Sequence, residues 1–171
     1  MSLSHENKNI YIRRALYALL LLLTAVLQNT QGLFPEIFGV RAMLLIPAVV
    51  CIGMHERDVA GLFFGLFAGV LWDAFSAGPP NFNAIMLTVA GYVCGLLIGS
   101  IMRNNIMTAL LLSTSFIFIY NTAYWLFAYV VKGYDNVFEV YLRFYLPSVL
   151  YTVFFMPIFY YLVRTVKLKA S

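Results

Sequence analysis

Six apolar runs, separated only by short polar or charged stretches, fill almost the whole of this 171-residue chain. A membrane-crossing helix needs ~20 mostly apolar residues, and read at that length the runs predict spans at about 13–33, 38–54, 59–77, 83–102, 106–131 and 141–164. With 63% of residues hydrophobic and 11% charged, the chain lies far from the soluble norm of about half apolar and a quarter charged. The expected fold is an all-α polytopic membrane helix bundle of about six transmembrane helices. It forms one domain, 13–165, between a cytoplasmic N-terminal tail (1–12) and a basic cytoplasmic tail (166–171).

The second span is the shortest. Between Arg41 and His55 there is no charge, but Pro47 interrupts the run; a tilted span with Arg41 snorkelling and a re-entrant segment both fit. The fifth, at about 39 Å of helix, exceeds the ~30 Å hydrocarbon core and should tilt or protrude. In the sixth, Pro147 and Pro157 each remove a backbone donor, so kinks are expected near them. Ahead of it, Gly133, Asp135 and Asn136 predict a turn. Val137, Val140, Tyr141 and Phe144 then follow at helical spacing, with Glu139 and Arg143 an i,i+4 pair.

Charge distribution gives an expected orientation. With six spans and both termini on one side, that side holds Lys8, Arg13, Arg14, Arg57, Arg103, Arg164, Lys167 and Lys169, against Arg41, Lys132 and Arg143 on the other. The positive-inside rule then places both ends in the cytoplasm. The net charge of +4 is explained by the membrane surface, so no nucleic-acid partner is expected and membrane lipid is. Cys51 and Cys94 lie inside apolar segments without CxxC spacing, which argues against a zinc site or a disulfide framework. His5 and His55 read as interfacial residues. Lys8, Arg13 and Arg14 precede ALYALLLLLTAV as in a signal peptide, but no small-residue cleavage site follows, and a retained first helix is expected.

Within the third span, Gly61, Gly65, Gly69 and Asp73 recur every fourth residue, and in the fourth Gly91, Gly95 and Gly99 do the same. At that period each set forms one stripe on its helix. Bare glycine backbone lets helices approach closely where lipid supplies no hydrophobic drive. The short AGPPN turn makes the two spans neighbours, so a close antiparallel contact is expected. Asp73 should lie near the outer boundary, within reach of Ser76, Asn81, Asn83 and the start of the fourth helix. Two readings stay open: a carboxylate that caps that helix and ties down the turn, or a docking or ligand contact made with Trp72, Asn81, Asn83 and Tyr92.

Other polar positions read first as helix contacts. Gln28, Asn29 and Gln31 sit near the outer end of the first helix, where lining a cavity with Asp73 is one reading and interhelical hydrogen bonding the favoured one. The same holds for Asn121 in the fifth helix. Residues 116–161 carry 18 of the chain's 29 Phe, Tyr and Trp residues, which predicts interfacial belts and core packing. There is no HExxH pair, GxSxG elbow or P-loop, and no acid, base and nucleophile that would converge in mid-membrane. A non-enzymatic protein without cofactor or metal is expected.

The stretch FAGVLWDAFSAGPPNFNAIMLTVAGYVCG resembles the rod shape-determining protein MreD family. There a glycine-rich span ends in a Gly-x-x-x-Asp element and a small turn leads into a helix with a Gly-Tyr pair; the matching residues are Gly69, Asp73, Gly78, Gly91 and Tyr92. The resemblance implies a six-helix inner-membrane subunit of the bacterial cell-wall elongation machinery. It implies association with MreC and, through it, work with MreB, RodA and a penicillin-binding protein. It also implies a fold similar to the S components of ECF transporters. The alternative function is therefore an S component that binds a small molecule in an outward-facing cavity. Ala15, Ala18 and Ala25 lack the Ala-x-x-x-Ala spacing of such proteins' first helix.

Overall fold

The computed structural model describes residues 2–30, 40–76, 78–134 and 137–169. They form an all-α bundle of α1 (Ser2–Asn29), α2 (Leu45–Glu56), α3 (Asp58–Phe75), α4 (Phe82–Ser100), α5 (Ile106–Trp125), α6 (Val137–Val140) and α7 (Leu146–Lys169). A π-helical turn, Leu126–Val130, extends α5, and another, Tyr141–Tyr145, joins α6 to α7 in one rod. Five of the resulting rods are long and apolar enough to cross a membrane: Lys8–Asn29, Asp58–Phe75, Phe82–Ser100, Ile106–Val130 and Phe138–Lys169. Multi-pass membrane insertion follows from that length and apolarity.

With α2 counted as a pass between the first two rods, successive passes alternate in direction. At one end Arg13 of α1 pairs with Glu56 of α2, Asn104 donates to Met54 O (3.0 Å) and Lys167 to His55 O (2.7 Å). At the opposite end Gln28 meets Leu45, Asp73 meets the start of α4, and Asn121 donates to Tyr145 O. The first end, with Lys8, Arg57, Arg103 and Arg164 near it, is the basic end; the other is the aromatic end. The start of α1 and the end of α7 therefore both lie at the basic end. The helix starts at Ser2 rather than near 13, and α7 runs to Lys169, because no proline or glycine in 2–12 or 165–169 stops it. Within the expected tails, residues 2–12 and 166–169 are helical.

The second span differs most from expectation. Its helix has only 12 residues, about 18 Å at 1.5 Å per residue, too short for a ~30 Å core. Yet every residue from Leu45 to His55 is buried, with α1, α3, α4, α5 and α7 packed around it. Pro47 lies in its first turn, where the missing N–H would have had no intrahelical partner. Ahead of α2 the pass is non-helical. Such backbone is tolerated at membrane depth only when protein groups satisfy it, and here they do: Gln28 Oε1 accepts from Leu45 N (2.9 Å), Thr152 Oγ1 from Met43 N (3.0 Å), and Ser148 Oγ donates to Arg41 O (3.3 Å). Among the described residues this pass is a short buried helix that runs from the aromatic end to the basic end, which a re-entrant segment would not do, preceded by a non-helical stretch, 40–44, held by α1 and α7. Residues 31–39, which include Gln31 and the first part of the expected span, lie outside the described residues, as do Asp135 and Asn136.

The most extensive interhelical contact is between α3 and α4. A Cβ built on Gly61 would collide with the Gly91 carbonyl, on Gly65 with the carbonyl of Leu87 and on Gly69 with the backbone of Asn83 and Ala84; on Gly95 it would meet the backbone of Arg57 and Asp58. Gly53 of α2 joins the same ridge, its Cβ position 2.6 Å from Gly91 O. Gly99 does not: nothing lies within 4 Å of its Cβ position. The stripe on α4 runs past the contact, because α3 begins at Asp58, opposite Gly95.

Near the aromatic end the two π turns face the chain's aromatic cluster. The second, Tyr141–Tyr145, sits just ahead of Pro147. A proline ring clashes with the carbonyl four residues earlier, and the wider turn there relieves that demand. The same extra residue separates Glu139 from Arg143. They form no ion pair, and the Arg143 guanidinium lies 5.9 Å from the Phe144 ring centroid instead.

Candidate functional site

Asp73 occupies the last turn of α3, and both its carboxylate oxygens are engaged by the start of α4. Asn83 N donates to Oδ1 (3.2 Å) and Ala84 N to Oδ2 (2.9 Å). These are orphan donors of the first helical turn, and the positive end of the helix dipole adds to their attraction for an anion. Asn81 precedes that turn with φ 59°, the left-handed conformation that asparagine adopts more readily than most residues. Its side chain makes no cap hydrogen bond, so the capping oxygen comes from the preceding helix. Of the two readings of Asp73, the geometry is that of the cap.

Around the cap the aromatic end is cross-braced. Asn83, 2% exposed, donates from Nδ2 to Ser76 Oγ (3.2 Å) and accepts from the Tyr120 hydroxyl. Tyr120 stacks on Trp72, with centroids 5.1 Å apart and planes 18° apart, and also contacts Phe82 and Tyr124. Gly78, in the turn, leaves room for the Tyr124 ring, whose hydroxyl would be 3.0 Å from an added Cβ. Asp73→Ala removes two hydrogen bonds and a charge at the helix start and should cost about 1–2 kcal/mol. Asp73→Asn keeps one acceptor and should cost about half as much. Thermal unfolding in detergent measures both.

Beside this cap lies a cleft of about 300 Å³, lined by Gln28, Asn29, Val40, Arg41, Ala42, Met43, Trp72, Phe144, Tyr145 and Ser148. A second hollow of about 260 Å³ adjoins it through Met43, Trp72 and Tyr145, and reaches Ser76, Asn83, Tyr120 and Tyr124. The cleft's floor is the extended segment ahead of α2. Together the two hollows are a size that takes a small organic molecule.

The structure brings Gln28, Asn29, Trp72 and Asn83 to these hollows, but not Asp73, whose oxygens face the α4 backbone. Asn81 is exposed at the turn. Tyr92 is 38% exposed on α4, about 13 Å along the helix from Asn83 at 1.5 Å per residue, and so belongs to the open face of the hairpin. Asn121 is wholly buried and donates to Tyr145 O (3.3 Å). Sequence reasoning missed Met43, Tyr120, Tyr145 and Gly53. Ser148 and Thr152, two hydroxyls four apart on an apolar helix, were a legible signal. Cys51 and Cys94 are free and buried, and no group of three His, Cys, Asp or Glu gathers among the described residues.

Compared with family models, with curated proteins and with solved structures, the chain finds no match.

Proposed function

We propose that this chain is a non-catalytic membrane subunit that works by presenting rigid helix faces to partner proteins, in a role like that of the MreD family in bacterial cell-wall elongation. The observation that carries this reading is what the resembling residues do. Gly69, Asp73 and Gly91 lock α3 to α4, and Gly78 in the turn between them makes room for Tyr124 of α5, so these residues build a stiff hairpin. Stiffness suits a scaffold, because an interface already in its bound shape loses little entropy on association. The outer face of that hairpin offers Phe63, Val70, Ile85, Val89 and Tyr92, all well exposed, to a partner helix or lipid.

The partners proposed are an MreC-like protein and, through it, MreB, RodA and a penicillin-binding protein, with both termini in the cytoplasm of a bacterial inner membrane. The tagged full chain, purified in mild detergent from its own cells, should bring down the MreC-like protein, and Tyr92→Ala with Val89→Ala should weaken that recovery while leaving thermal stability unchanged. Recovery of ECF transporter subunits without any wall-synthesis protein would overturn the proposal.

One observation favours the alternative, ligand capture in the manner of an S component. The cleft at the aromatic end is floored by non-helical backbone, an arrangement that membrane proteins tolerate where it lines a cavity. Mass spectrometry of small molecules released from the purified chain separates the two. A stoichiometric ligand lost in Gln28→Leu supports capture, and an empty cleft supports the scaffold.

A further inference from the structure

At the basic end a separate cavity of about 450 Å³ opens between the start of α5 and the end of α7. Its lining includes His55, Asn104, Asn105, Tyr161, Arg164 and Lys167. Among the described residues no acidic side chain lines it. Glu56, next to His55 in sequence, is committed to Arg13, and Arg164 has no ion-pair partner among the described residues. Lys167 is held in place by donating to His55 O (2.7 Å), and an ammonium retains further donors beyond that one. Asn104 is fixed similarly, through Nδ2 to Met54 O (3.0 Å). Two cations and two amides thus surround a space many times the ~30 Å³ share of one water molecule.

We propose that this cavity binds the phosphate of an anionic phospholipid headgroup. Its position supports that occupant over a dissolved one. The cavity lies where two membrane-spanning rods reach the polar layer, and those rods expose Met107, Leu111, Ile158 and Leu162 below it, an apolar surface for acyl chains. Arg164 supplies a planar fork of donors suited to phosphate oxygens, and Lys167 a point charge. Basic pockets between helices at the membrane surface recognise headgroups by this combination. The site is independent of the scaffold and capture readings, which concern the other end of the bundle.

The test uses the full chain in a neutral detergent, titrated with short-chain phosphatidylglycerol, short-chain phosphatidylcholine and inorganic phosphate, with the thermal midpoint as readout. Phosphatidylglycerol should raise the midpoint saturably. Arg164→Gln should weaken its affinity about fivefold, as expected for one cation near an anionic surface, and Arg164→Lys by less. Lys8→Gln, which removes the same charge elsewhere at this end, should leave the affinity unchanged. Equal losses in Arg164→Gln and Lys8→Gln would reduce the effect to diffuse charge and overturn the site. An equal shift from phosphatidylcholine would overturn the headgroup's role, and a full shift from inorganic phosphate alone would overturn the lipid.

Discussion

Gly65→Ala should destabilise the folded protein by about 3 kcal/mol, the upper part of the range for inserting bulk into a packed interior. The added methyl meets the Leu87 carbonyl and the Thr88 Cα, which are backbone atoms and have no rotamer to change. Relief requires α3 and α4 to move apart, and that loosens the Gly61–Gly91 and Gly69–Ala84 approaches on either side. Gly99→Ala is the matched control. With open space at its Cβ position, it should be neutral, or stabilising by up to about 1 kcal/mol from helix propensity alone. Thermal unfolding of the two variants in one detergent should separate them clearly. Equal midpoints would mean that the stripe faces lipid.

Arg13→Ala should cost about 3 kcal/mol. Its guanidinium engages Glu56 through both Nε and Nη2, the latter 3.1 Å from Oε2, and the Glu56 side chain is only 3% exposed. Removing one partner of a buried pair strands the other charge, which costs about 3–5 kcal/mol. The lower end applies because the pair lies at the charged rim. A neutral Gln avoids the stranded charge, so Arg13→Ala with Glu56→Gln should recover most of the loss. If the double variant is no better than Arg13→Ala alone, the pair is not what joins α1 to α2.

The sequence carried the α3–α4 contact because glycines at a four-residue period leave a mark that only a helix turns into a ridge. It carried the cap too, since an acid at the end of one apolar run faces the start of the next across a short turn. It overextended the ridge to Gly99, because periodicity says nothing of where the partner helix ends. The central place of α2 was hidden. A short run with a proline reads as a weak span, and what makes it stable is burial by five helices, of which α4, α5 and α7 lie well beyond the adjacent α3 in the chain. The Trp72–Tyr120–Asn83 brace and the two hollows also depend on distant residues, and Tyr120 and Tyr145 look like any other aromatic in a tyrosine-rich stretch. The Glu139–Arg143 pairing failed for a local reason, an extra residue in the turn ahead of Pro147.

Helices α3 and α4 touch backbone to backbone along their glycines. Interhelical nuclear Overhauser effects in selectively labelled protein in micelles test it directly. Cross-peaks from Gly65 Hα to Thr88 Hα and from Gly69 Hα to Ala84 Hα are expected, since Cβ positions on these glycines fall against those α-carbons. Their absence from a spectrum that resolves the ordinary intrahelical contacts of both helices would contradict the account.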